Sequence, residues 1–155
     1  MRAVVQRVSR ASVSIKGQDV ARIQQGIVVL LGVAAGDSET DARYLADKIA
    51  NLRILPDEAD KFNLSALDTA GEVLVVSQFT LLADTRKGRR PSFINAAPPE
   101  DAEPLIETFV RFLRDAGLRV DTGRFQQHML VEIHNDGPVT IVIDSDERSK
   151  PRRQA

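Results

Sequence analysis

Two short strings hold the side chains best suited to act on a ligand: Ser77-Gln78-Phe79-Thr80-Leu81-Leu82-Ala83 and Asn135-Asp136-Gly137-Pro138-Val139-Thr140. The first follows an apolar run from Glu72 to Val76 and the second leads into Val139 to Ile143. A fold that pairs these two strands brings a hydroxyl, an amide and a Gly-Pro turn into one cleft. Thr80 is the hydroxyl to nominate first as a nucleophile, yet Thr attacks only when a base activates it. Bases are scarce. The two histidines, His128 and His134, lie in no Gly-x-Ser-x-Gly elbow and no His-Glu-x-x-His helix, and each reads as a surface or strand residue. With no cysteine in the chain, disulfides, thiolate metal sites and cysteine nucleophiles are excluded.

Several residues keep two readings. Thr80 either positions a ligand or takes part directly, and Ser77 and Gln78 either contact a ligand or simply end a strand. Phe79 either walls a pocket or fills the core. Leu81 and Leu82 read as packing, while Ala83 is small enough for close approach. Gly137-Pro138 reads as a tight turn, with a trans peptide as the default. Arg86, Lys87, Arg89 and Arg90 place four cations within five positions, either to meet phosphates or to keep a loop solvated. The formal net charge of -1 argues against coating nucleic acid by bulk electrostatics. One small basic face is the expectation, with acidic residues grouped at 37–41, 57–60 and 100–103.

The elements that must position these groups follow from hydrophobic period. Ala42, Leu45, Ala46, Ile49 and Leu52 recur at helical spacing behind Ser38 and Asp41, predicting a helix from about Glu39 to Leu52. Leu105, Ile106, Phe109, Phe112 and Leu113 form a second apolar stripe between Pro98-Pro99 and Gly117. The remainder predicts about seven strands: Arg2 to Val8, Ala11 to Ile15, Asp19 to Ile23, Ile27 to Val33, Glu72 to Val76, Met129 to His134 and Val139 to Ile143. The fold class is α/β, with layered sheets and two helices. Helices on one side leave a sheet face to bury in a second layer or against another subunit. The 155 residues suit one domain, assigned to 1–145, with a polar tail at 146–155 expected to be disordered. Asp57 to Lys61 reads as a polar connector. No apolar run reaches the ~20 residues that span a bilayer, and the opening residues lack a signal-peptide pattern, so no membrane association is expected and the cytoplasm is the expected compartment.

Together with the opening Met1-Arg2-Ala3-Val4-Val5-Gln6-Arg7-Val8 and the run from Ala83 to Ser92, the two strings resemble the signature of the D-aminoacyl-tRNA deacylases, once named D-tyrosyl-tRNA deacylases. The resemblance covers all but the last ten or so residues. It implies hydrolysis of the ester between a D-amino acid and the terminal ribose of tRNA, with substrate RNA helping to activate water and no metal or organic cofactor. Main-chain amides of Ser77 to Thr80 would line the reacting carbonyl as an oxyanion hole. Gly137-Pro138 would be a cis peptide whose carbonyls project into the partner subunit's pocket and reject L-forms by collision. Arg7 would support that wedge across a homodimer whose active site lies at the subunit interface, formed across the sheet surface and the Gly-Pro loop. Ala83, Met129, Gly137, Pro138 and Thr140 would contact the 3′-terminal aminoacyl adenosine, and the four cations the acceptor-stem phosphates. Phe62 stands where many relatives have Met, and His134 where an apolar residue is common. Two alternatives remain: an editing deacylase acting chiefly on glycine mischarged to tRNA, and a non-catalytic tRNA-binding module.

Overall fold

The computed structural model describes residues 1–151. Its frame is a six-stranded mixed sheet built on one long strand, β1 (Arg2–Ile15). A tight turn at Lys16 and Gly17, both at positive φ, returns the chain as β2 (Gln18–Ile23), antiparallel to the second half of β1. Strand β3 (Gly26–Gly32) lies antiparallel to the first half, and β8 (Leu130–Asp144) runs along the other edge of β1 for nearly its whole length. Beyond β3 come β6 (Glu72–Ser77) and β7 (Arg119–Thr122), both parallel to their neighbours. Gly26 permits the β3–β6 contact, since a Cβ there would stand 1.9 Å from the Glu72 carbonyl oxygen.

Two cores form on the two faces of this sheet. On one side Ala3, Val5, Val29 and Val75 pack under helix α1 (Glu39–Ala50) and helix α3 (Pro99–Asp115), which contribute Leu45, Ile49, Phe109 and Leu113. On the other, Val8, Ala11, Val13, Ile23, Val28, Leu74 and Val76 meet each other because the sheet curls. The curl brings β2 to β7: the Arg22 N–H donates to the Asp121 carboxylate at 3.1 Å, and the Arg124 guanidinium donates to the Val20 carbonyl at 3.1 Å. The sheet is thus nearly closed. The face expected to need a second layer is covered by the sheet itself, so burial of a bare sheet face is no argument for a second subunit.

Both predicted helices are present, the first two residues shorter than the periodicity indicates. At its start the Asp41 carboxylate accepts from the Ser38 N–H at 2.9 Å. A third, one-turn helix, α2 (Ala66–Thr69), is too short to carry a period. Two pairs of predicted strands are single strands. Residues Arg2–Val8 and Ala11–Ile15 join as β1 through a bulge in which Ser9 is extra, so that Ala11 and Val13 share the core of Val8 although Ala3 and Val5, also odd-numbered, face the other. Likewise Met129–His134 and Val139–Ile143 belong to β8. Strands β4 (Leu55–Pro56) and β5 (Phe62–Leu64) form a small hairpin around the polar stretch at 57–61, and they and β7 were not anticipated. Of the tail beginning at 146, residues up to Ser149 close a short 3₁₀ turn, tied down by Arg148 to Asp41 at 2.6 Å. The rest of that expectation, over 152–155, lies outside the described residues. Among the described residues no helix is long and apolar enough to cross a membrane.

Candidate active site

The first string sits where β6 ends beside β3. Ser77 closes the parallel ladder against Leu31, and the Gln78 N–H donates to the Leu31 carbonyl at 2.8 Å. The chain then winds into a 3₁₀ turn, Phe79–Leu82. Gly32, the last residue of β3, makes room for this turn: a Cβ there would lie 2.4 Å from Leu82 Cδ2 and 2.9 Å from the Gln78 carbonyl oxygen. From the other side Arg2 clamps the turn, donating to the Leu81 carbonyl at 2.9 Å while paired with Asp144 at 3.0 Å. The Leu81 and Ala83 N–H groups are spent on Gln78 and Thr80 carbonyls. The N–H groups of Phe79 and Thr80, which open the turn, meet no backbone acceptor among the described residues.

In front of the turn lies a cleft of about 730 Å³. Ser77, Gln78 and Phe79 line it together with Phe125, Met129, Phe93 and the residues leading into α3. Phe79 is 55% exposed and meets Phe93 edge-to-face at 5.0 Å between centroids, so it walls the cleft rather than filling the core. Among the described residues of this lining His128 is the one ionisable side chain, and none is a carboxylate. The Thr80 hydroxyl is exposed and accepts from Gln78 Nε2, with no basic side chain bonded to it among the described residues. The loop segments carrying Phe93 and Phe125 were missed because neither has a motif or a period.

Strands β6 and β8 do not pair. Strand β6 is taken up on both edges by β3 and β7, and β8 by β1, so the second string stands apart from the first within one chain. Between Gln6↔Thr140 and Val8↔Asn135 the four residues Asp136–Val139 bulge out opposite the single Arg7. Asn135 brackets the bulge, its Oδ1 accepting from the Val139 N–H at 2.8 Å and its Nδ2 donating to the Thr140 hydroxyl at 3.0 Å. That hydroxyl also accepts from Gln6 Nε2 at 3.2 Å. Arg7 Nε donates to the Asp136 carbonyl at 2.8 Å within the same chain. Asp136, Gly137 and Pro138 are exposed, the Gly137-Pro138 peptide is cis and Gly137 has φ +140°. None of these residues lines the cleft, and neither do Thr80, Ala83 or Thr140.

The basic run forms a loop pinched by paired backbone bonds between Asp84 and Ser92, at 2.8 and 2.9 Å. Arg86 grips Asp84 in a fork and holds its carboxyl down at about 2. Lys87, Arg89 and Arg90 are exposed, with no hydrogen bond or ion pair among the described residues. Of the four cations Arg86 alone is paired among the described residues.

The family model described as D-Tyr-tRNA(Tyr) deacylase matches residues 4–144. A D-aminoacyl-tRNA deacylase of Dehalococcoides mccartyi is 60% identical over 152 residues, covering 98% of this chain and 99% of that protein. A protein of the same name from Roseiflexus sp. is 59% identical over 154 residues, 99% of both chains. Among solved structures, one described as the c-Myc DNA unwinding element binding protein superposes with a TM-score of 0.87 at 42% identity, over 93% of this chain and 98% of that one. Another, of a probable eukaryotic D-amino acid tRNA deacylase, has a TM-score of 0.81 at 17% identity over 92% and 98%, a likeness of fold.

Proposed function

This chain belongs to the D-Tyr-tRNA(Tyr) deacylase family, and from that premise we propose that it hydrolyses the ester of D-aminoacyl-tRNA, releasing the D-amino acid and tRNA. The observation that carries the chemistry is the pair of open N–H groups of Phe79 and Thr80 beside a cleft whose described residues include no carboxylate. Water attacks the acyl carbon, the carbonyl oxygen gains negative charge to which these two N–H groups donate hydrogen bonds, and the bond to the ribose oxygen breaks with a proton passing to that oxygen. Such donors, fixed before the reaction, stabilise the charge without reorganisation. The neighbouring ribose hydroxyl assists the water, and no cofactor takes part.

Thr80, engaged with Gln78 and lacking a base, positions the turn instead of attacking. Ser77, Gln78 and Met129 meet the aminoacyl adenosine along the cleft walls, with Ala83 beside them. Because Gly137 and Pro138 lie outside the cleft of their own chain, their carbonyls act as a stereochemical wedge only in a partner's cleft, with Thr140 and Arg7 supporting the bulge from behind. A homodimer with shared sites is thus part of the reading, and the unpaired outer edge of β8 is consistent with it. A wedge that excludes a side chain has nothing to exclude in glycine, so glycyl-tRNA is also cleaved. Lys87, Arg89 and Arg90 meet acceptor-stem phosphates, and the setting is the cytoplasm, where tRNA is charged.

The test is release of labelled amino acid from matched D- and L-tyrosyl-tRNA at catalytic protein concentration. Preferential D-ester hydrolysis is expected. Binding without hydrolysis of either ester would instead establish a tRNA-binding module, and equal hydrolysis would overturn the wedge.

A further inference from the structure

The Gly137-Pro138 bulge is held by Arg7, but an arginine has three bonds of freedom beyond Cβ and holds nothing unless it is itself fixed. Around Arg7 the edge of the guanidinium is occupied twice: Nε donates to the Asp136 carbonyl at 2.8 Å and Nη1 to the Ile54 carbonyl at 2.9 Å. Nη2 reaches so near Gly137 that a Cβ there would stand 3.2 Å away. The guanidinium lies over the ring of Phe62, with Cζ 5.1 Å from the ring centroid. Arg7 is left with a side chain only 11% exposed, whereas Phe62 is 57% exposed, a large apolar ring kept at the surface.

The hairpin that carries Phe62 is densely hydrogen-bonded for its size. Asp57 accepts from the Ala59 and Lys61 N–H groups at 2.8 and 3.0 Å and from Asn63 Nδ2 at 3.0 Å, closing the loop between β4 and β5. Arg53 donates to the Asn63 carbonyl at 2.8 Å. The chain therefore holds a ring over a cation that touches the bulge, an arrangement that core packing does not require.

We infer that Phe62 is a positioning residue for stereoselectivity: its ring holds the Arg7 guanidinium in place, and through Arg7 it sets the Gly137-Pro138 bulge. The inference rests on the function proposed above. A ring quadrupole orients a guanidinium in a way that an aliphatic chain of similar bulk does not. The experiment compares F62W, F62L and F62A with wild type for release of labelled tyrosine from D- and L-tyrosyl-tRNA. In F62L and F62A the D-to-L rate ratio falls about three- to tenfold, chiefly because the L-ester gains rate, while F62W keeps the ratio within about twofold. Tryptophan and leucine both fill the position, so that pair decides the matter even where F62A does not fold. An F62L protein as selective as wild type would overturn the inference alone, and so would D-ester rates falling in every variant at an unchanged ratio. A wild-type protein with no D-ester preference would overturn the proposed function and this inference with it.

Discussion

Thr80 and Asp84 show how partners at hydrogen-bond range decide what a side chain can do. A Thr hydroxyl bonded by Gln78 and without a base is a poor nucleophile, so T80V is expected to keep kcat for D-tyrosyl-tRNA within about tenfold; loss of a true nucleophile costs about 10⁴ or more. Single-turnover hydrolysis separates the two outcomes. Asp84 is acidified by the Arg86 side-chain bond first and by the Arg86 N–H second. Its folded pKa lies below the unfolded value, so its contribution to loop order is present above about pH 3.9 and is lost as pH falls through about 2. A carboxyl NMR titration should place its midpoint near 2. In D84N the same loop should lose the Asp84–Arg86 fork and free a fourth cation.

At the scale of elements, the turn at Phe79–Leu82 is shaped by its neighbour strand. Gly32 lies in β3, far in sequence from the turn, yet its missing side chain is what lets Gln78 and Leu82 approach. In G32A the added methyl displaces the turn and the two open N–H groups with it. Stability should drop by about 1–3 kcal/mol, the usual range for overpacking, and kcat should fall further than KM changes. Thermal melts and steady-state kinetics measure the two effects separately; unchanged kcat in a folded G32A would show that the turn is not the oxyanion site.

For the whole molecule, the predictions concern assembly and RNA. If each cleft is completed by the partner's bulge, the protein sediments as a dimer and its activity per chain falls on dilution below the dissociation constant; an active monomer would exclude the shared site. Replacing Lys87, Arg89 and Arg90 together with Ala should reduce the slope of log K against log salt by about 2–3 units, since each phosphate contact on a duplex contributes about 0.9. A slope unchanged by the triple substitution would place the RNA elsewhere.

By itself the sequence determined the two helices, whose apolar stripes depend only on spacing along the chain, and most strand positions, which alternation and flanking Gly or Asp disclose. It also contained the two strings and the opening that identify the family. What the tertiary structure alone decided is where those strings lie relative to each other. Whether Arg2–Ile15 is one strand or two depends on Ser9 bulging against β8, a register set by residues more than a hundred positions away. The same long-range pairing leaves four residues opposite Arg7 and separates the Gly137-Pro138 bulge from its own chain's cleft, which Phe93 and Phe125 line. Strands of two to four residues such as β4, β5 and β7 are too short to show a period, so only their partners define them. Local pattern reports what a segment can bury, and pairing between distant segments decides what that burial puts side by side.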